Sequence, residues 1–128
     1  MRELDEARAW LHGADHLVAW EDGGRARFTV ATAMAIHALI RASDALTVRF
    51  LGRTSTRHED AARLLRQVLV EGHVPPAYSR LRGVLVRAVA SKSEYDYKGV
   101  EVGRREAEGW CRDGGRFLAA VEKILAPP

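Results

Sequence analysis

Residues 31–46 of the 128-residue chain are apolar on nearly every side when they are drawn as a helix. A helix of this kind is stable in water only when other helices surround it. The chain on either side supplies them, because apolar residues recur there at steps of three and four, the spacing of one helix face. The pattern predicts a single all-α domain over residues 1–128, an antiparallel up-and-down bundle of about five helices.

Glycine and proline residues divide this pattern into separate helices. The breaks fall at Asp22-Gly23-Gly24, at Gly52, and at Gly72 with Pro75-Pro76. Thr56 and Glu59 have the spacing of a capping box at the start of the third helix. Gly109, Gly114 and Gly115 lie inside the last helix, where we expect a neighbouring helix to approach closely. The predicted helices cover about residues 3–20, 25–51, 57–71, 77–95 and 104–125.

The composition is that of an ordinary globular protein, with 47% hydrophobic and 29% charged residues. His37 and Arg41 interrupt the most apolar stretch well before the ~20 residues that a membrane span needs. The first residues do not resemble a signal peptide. The single cysteine, Cys111, excludes an internal disulfide and a multi-cysteine zinc site. We therefore expect a cytoplasmic protein that is not embedded in a membrane.

The net charge of +3 is unevenly distributed along the chain. Residues 1–24 carry two Arg and six acidic residues, whereas residues 25–58 carry six Arg and one Asp. Residues 79–92 carry four basic residues and no acidic one. Clustered Arg side chains can bind phosphate in a bidentate manner, so this distribution favours an anionic partner. The alternative is a solvated helix face on which Arg simply replaces Lys.

Four stretches of the sequence form one pattern: VATAMAIHALIRASDALTVRFLGRTSTRHEDAARLL, KSEYDY, REAE and RFLAAVEKIL. Together they resemble the prokaryotic HEPN domain. The resemblance extends over about residues 28–125, and it implies a helical bundle with a long central hairpin, usually paired into a homodimer. The family includes RNase toxins, partners of small nucleotidyltransferases, and stand-alone proteins.

The RNases of this family carry an Arg followed, four to six residues later, by a His on the late central helix. The matching segment here, residues 91–97, has Lys92 near the place of the Arg and Asp96 near the place of the His. A carboxylate is mostly ionised at neutral pH and is a weak base, so Asp96 is a poor replacement for His. This departure from the family's motif argues against the usual RNase activity.

A second Arg and His pair with four residues between them lies elsewhere, between the second and third helices. Arg53, Arg57 and His58 surround the predicted start of the third helix, where free amides and the helix dipole favour anions. His58 could hold a phosphate or transfer a proton to or from a ribose hydroxyl. The alternative is a polar loop whose side chains are solvated or cap the helix.

Alternating helix directions would place the loop after the second helix beside the end of the fourth. Arg53, Arg57 and His58 would then approach the segment that ends the fourth helix, and together they would form a nucleotide or RNA site. The alternative is an ion-pair network that closes the end of the bundle. Asp44 fits that structural role, with Arg41 or Arg53 as its partner. The residues of the fourth helix in this candidate site are Lys92, Asp96 and Tyr97.

The remaining candidates favour structural roles. His12 and His16 are one helical turn apart, but the sequence contains no zinc signature, so we predict neither a metal nor another cofactor. His37 is expected in the core or at an interface, and Cys111 is expected to be packed on its helix. The three tryptophans are interpreted as core or dimer-interface residues and not as base-stacking platforms. They are Trp10, Trp20 and Trp110.

These observations favour a homodimeric HEPN-like protein that binds RNA or a nucleotide without cleaving it. Its expected setting is a toxin–antitoxin or nucleotidyltransferase-associated module, with a nucleotidyltransferase-type protein as a possible partner. The first alternative is a metal-independent endoribonuclease that uses Arg53 and His58. The second is a purely structural interaction partner.

Overall fold

The computed structural model describes residues 1–97 and 100–128, except for the side chains of residues 96 and 97. These residues form helices without any strand, so the prediction of an all-helical fold is confirmed for the described part of the chain. Two short 3-10 turns, Glu21–Gly23 and Pro76–Tyr78, connect neighbouring helices. The helices are α1 (Arg2–Ala19), α2 (Ala26–Leu51), α3 (His58–Val70), α4 (Arg80–Tyr97) and α5 (Arg104–Leu125).

Helix α2 is the centre of the bundle and packs against each of the other four helices. Its middle is buried, as the apolar sequence of residues 31–46 predicts. The helix ends at Gly52, whose φ of 73° lies in the left-handed region that glycine adopts most readily. The amide of Gly52 donates a hydrogen bond to the carbonyl of Val48 and closes the last turn.

Helices α1 and α5 cover one side of α2 and run in opposite directions. Arg41 bonds to Glu6, and His37 contacts Trp10, so α1 runs antiparallel to α2. Thr29 accepts a hydrogen bond from the Val102 amide at 3.3 Å, just before α5 begins. An added Cβ on Gly114 would lie 3.4 Å from the carbonyl oxygen of Ala35, so α5 runs parallel to α2.

Helix α3 runs in the same direction as α2, in contrast to the expected alternation. The start of α3 lies beside the middle of α2, where the rings of His58 and His37 are 6.0 Å apart. Beyond its end, His73 stacks on Phe50 near the end of α2, at 5.3 Å. The chain must therefore return along α2 before α3 begins.

The connection between α2 and α3 makes this reversal possible. Its six residues, 52–57, can span about 20 Å when extended, which matches the length of α2 between residues 37 and 51. Ser55 donates a hydrogen bond to Asp44 at 3.0 Å and so fixes the returning chain against α2. The predicted capping box is wrong, because Arg57 is the N-cap and no side chain caps the helix. Arg57 is still extended, with φ −127° and ψ 146°, which delays the helix start past Thr56.

Helix α4 returns from the end of α3 and runs antiparallel to α2. Tyr95 near its end bonds to Glu106, and Arg87 bonds to Asp113, so α4 also runs antiparallel to α5. Each helix in the described ranges is too short or too polar to cross a membrane. The arrangement brings the second half of α4 and the first residue of α3 to the same level of α2.

Candidate functional site

An open groove of about 470 Å³ lies between α1 and α4, with α2 as its floor. The floor residues recur at three- and four-residue spacing, which places them on one face of α2. Trp10 forms the wall from α1, and Lys92 and Tyr95 form the wall from α4. The groove has the size of an ordinary small-ligand site. Its floor is formed by Thr29, Val30, Ala33, Met34 and His37.

His37 is the polar residue at one end of this floor. It is half-buried, and its ring lies 4.5 Å from that of Trp10 at an angle of 65°. Burial lowers the pKa of His37, and the positive charges of Lys92 and His58 lower it further. The imidazole of His37 is therefore neutral at neutral pH and can accept a proton.

His58 and Lys92 extend the site beyond the groove. A second cavity of about 390 Å³ is lined by both residues, and Lys92 lines the groove as well. His58 is the first residue of α3, where helix amides lack partners within the helix. Glu59 also lines the second cavity and places a negative charge beside these basic groups. The two cavities thus share Lys92 and are flanked by His37 and His58.

Asp44 lies deeper in the bundle and has a structural role. It is 6% exposed, and it accepts hydrogen bonds from Arg41 at 3.1 Å and Ser55 at 3.0 Å. Arg41 also bonds to Glu6 at 2.5 Å. Hydrogen bonding to Arg41, and then to Arg2, lowers the pKa of Glu6. Arg41 is the cation that balances Asp44, whereas Arg53 bonds elsewhere.

Arg53 lies away from His58, although the two are close in sequence. Its guanidinium donates a hydrogen bond to Gln67 at 3.2 Å. Gln67 follows His58 by nine residues, which corresponds to about 13 Å along α3. The return of the chain along α2 separates the two residues, because Arg53 remains near the end of α2. Arg57 is exposed at the N-cap of α3.

The structure therefore assembles part of the predicted site. It brings His58 and Lys92 together, and it places Arg53 at the opposite end of α3. The side chains of Asp96 and Tyr97 lie outside the described residues. Tyr95, one turn after Lys92 on α4, lines the groove, and its hydroxyl donates a hydrogen bond to Glu106.

Sequence reasoning missed His37 and Trp10 as members of the site. Trp10 adjoins the apolar seam of α1 but is 40% exposed, and Trp20 is 50% exposed. Trp110 is buried in the core, as expected. His37 interrupts the apolar run of α2, and that interruption was the available signal that this turn of α2 is not wholly enclosed.

The other candidates of the sequence are separate from this site. Burial, followed by the charge of Asp15, raises the pKa of Cys111 to about 12, so its thiol is unreactive at neutral pH. His12 and His16 are exposed on α1. Within the described part of the chain, His, Cys, Asp and Glu side chains do not gather in threes as metal ligands.

No family model matches the chain, and no curated protein matches it.

Proposed function

We propose that this protein is a HEPN-like, non-catalytic binder of RNA or a nucleotide, and that it holds a phosphate at His37, His58 and Lys92. The observation that carries the proposal is the meeting of these basic side chains, from α2, α3 and α4, around two cavities that share Lys92. Lys92 supplies a positive charge, and the first amides of α3 supply hydrogen-bond donors suited to an anion.

The charge of the surrounding helices supports this proposal. Residues 79–92, which include most of α4, carry four basic residues and no acidic one. Arg57, Arg63 and Arg66 are exposed on or beside α3. Such a surface attracts a polyanion before it reaches the groove, and the attraction weakens as salt screens it.

The test is binding of a fluorescein-labelled single-stranded RNA of ten nucleotides, followed by fluorescence anisotropy. We expect Lys92→Gln to weaken binding by about tenfold, because a charge-assisted contact to phosphate is lost. The plot of the logarithm of the binding constant against the logarithm of the salt concentration should also become shallower. Its slope should fall by about one, the contribution of one phosphate contact. Lys123→Gln is the matched control, since Lys123 is exposed on α5 and the charge change is the same.

Glu59→Gln provides a test in the opposite direction. The carboxylate of Glu59 lines the cavity that contains His58 and Lys92 and opposes an anionic ligand there. We expect this substitution to tighten RNA binding. Equal effects of Lys92→Gln and Lys123→Gln, together with no gain from Glu59→Gln, would contradict the proposed location.

A second candidate function is metal-independent cleavage of RNA. The sequence suggests Arg53 and His58 for this role, but the contact between His37 and His58 favours a pair of histidines instead. Neutral His37 would take the proton from a ribose 2′-hydroxyl, whose oxygen attacks the adjacent phosphorus. The P–O5′ bond would break, His58 would protonate the departing oxygen, and the products would be a 2′,3′-cyclic phosphate and a 5′-hydroxyl end.

The two candidates are separated by incubating labelled RNA with the protein in EDTA. Binding without cleavage supports the first candidate. Cleavage that is lost in both His37→Gln and His58→Gln, but retained in Arg53→Gln, would support the second. An RNA that carries 2′-deoxyribose at the cleaved position should then resist cleavage, because it lacks the attacking hydroxyl.

The proposal also includes a homodimer and a nucleotidyltransferase-type protein partner, as expected for a toxin–antitoxin or related module. The HEPN resemblance supports both, and exposed apolar side chains such as Trp20 and Val70 are compatible with covered surfaces. Light scattering of the purified protein measures its mass and so tests the homodimer. A mass of one chain would contradict the homodimer.

A further inference from the structure

We infer that the groove between α1 and α4 binds an unpaired base of a single RNA strand, stacked on Trp10, with the adjoining phosphate at Lys92 and His58. This inference rests on the proposed function and adds the kind of RNA that the site selects. It reverses the sequence-based interpretation of Trp10 as a core or interface residue.

The exposed apolar surface of the groove is the first observation. Trp10 is 40% exposed and Val30 is 50% exposed, and both line the groove together with Met34. Large apolar side chains in this position leave an unfavourable contact with water, which a flat apolar ligand would remove. An indole ring is a suitable surface for a nucleobase, because every base has a π-face.

The distribution of charge is the second observation. The apolar residues of the groove lie beside Lys92 on the α4 wall, and His37 lies at one end of the floor that α2 forms. A nucleotide has the same two-part character, with a flat base at one end and an anionic phosphate at the other. The floor extends from Thr29 to His37, which corresponds to about 12 Å along α2 and can accommodate both parts.

The contact between Trp10 and His37 supports a stacking role for the indole. Their rings meet at 65°, so His37 steadies the indole without lying parallel to it. In duplex RNA, the faces of each base are covered by its neighbours in the stack. A single strand can turn a base out and place its face on an aromatic side chain. The groove should therefore select single-stranded over double-stranded RNA.

The experiment compares three labelled ten-nucleotide ligands by fluorescence anisotropy: a single-stranded RNA, its duplex, and an abasic ribose-phosphate strand of equal length. Wild-type protein should bind the single strand most tightly. Trp10→Ala should weaken binding of the single strand by roughly 5- to 150-fold and leave binding of the abasic strand unchanged. Trp10→Phe should retain most of the affinity, because it keeps an aromatic face.

Trp20→Ala is the matched control. Trp20 directly follows α1 and is 50% exposed, but it does not line the groove. Its removal should change binding of the single strand by less than twofold. If Trp10→Ala fails to fold, quenching of tryptophan fluorescence by the single strand, measured in the Trp20→Phe variant, provides the same test. The abasic strand should then cause no quenching.

The outcomes distinguish this inference from the proposed function. Equal binding of the normal and abasic strands, with no effect of Trp10→Ala, would overturn the inference and leave phosphate binding intact. Failure to bind any of the three ligands would overturn both. A change in oligomeric mass on Trp10→Ala, without a change in RNA binding, would assign Trp10 to a contact between two copies of this chain and overturn the inference.

Discussion

His37 shows how the surroundings of one residue determine its chemistry. Its ring is half-buried against Trp10, and burial and neighbouring positive charge favour the neutral form. In the unfolded chain, the same imidazole is protonated with a pKa near 6.5. Below that pH, the unfolded state binds more protons at this residue than the folded state does.

The consequence is a loss of stability on acidification. As the pH falls from 7.5 to 5, proton uptake by His37 in the unfolded state should lower the free energy of unfolding. We expect His37→Gln to reduce this pH dependence, because the residue that causes it is absent. Urea denaturation at the two pH values measures it, with His12→Gln on the exposed face of α1 as the control. An unchanged pH dependence in His37→Gln would show that His37 is not held neutral.

At the level of elements, the connection between α2 and α3 determines where the site residues meet. Ser55 bonds to buried Asp44, which also bonds to Arg41. We expect Asp44→Ala to destabilise the fold by about 2 kcal/mol and Ser55→Ala by about 1 kcal/mol, because buried hydrogen-bonding groups lose their partners. Arg53→Ala should cost less than ~0.5 kcal/mol, since its bond to Gln67 is exposed. Chemical denaturation of the three variants tests this order.

Two glycines of α5 provide a matched pair of substitutions. An added Cβ on Gly114 would lie 3.2 Å from Leu11 and 3.4 Å from the Ala35 carbonyl oxygen, whereas on Gly109 it would approach only the flexible Arg112, at 3.7 Å. We expect Gly109→Ala to stabilise the protein by up to ~1 kcal/mol through helix propensity. Gly114→Ala should gain less or destabilise, because Leu11 must move. Thermal melting of both variants measures the difference, and equal gains would contradict a close helix approach at Gly114.

Features of the fold that depend on local interactions could be predicted from the sequence, whereas those that depend on contacts between distant residues could not. Helix periodicity and the glycine at position 52 are local signals, so the helices and the central position of α2 could be predicted. The direction of α3 could not, because a six-residue connection can either turn sharply or return along α2. The returning path is fixed by contacts such as the bond between Ser55 and Asp44, which joins residues eleven positions apart and has no local signal in the sequence. The close helix approach expected at three glycines is found at Gly114. An added Cβ on Gly115 would make only an ordinary contact with Leu11, at 3.9 Å, and on Gly109 it would meet no other helix, so the expectation is wrong there.

At the scale of the whole molecule, the bundle gathers residues that are distant in sequence. Lys92 and His58 meet as predicted, but His37 replaces Arg53 as their neighbour because α3 is parallel to α2. Trp10 of α1 joins them in the groove, although the sequence pattern placed this residue in the core or at a dimer interface. An exposed aromatic residue beside the buried face of a helix follows the same three- and four-residue spacing as a core residue. Only the packed structure shows which of the two it is.

In the proposed complex, the phosphate of a bound RNA lies at His37, His58 and Lys92. The most direct measurement follows the imidazole resonances of the five histidines by NMR during titration with the single-stranded ten-nucleotide RNA. We expect the signals of His37 and His58 to shift together and the pKa of His37 to rise when the phosphate binds, while the signals of His16 and His73 stay in place. Saturable RNA binding that leaves the signals of His37 and His58 unmoved would contradict it.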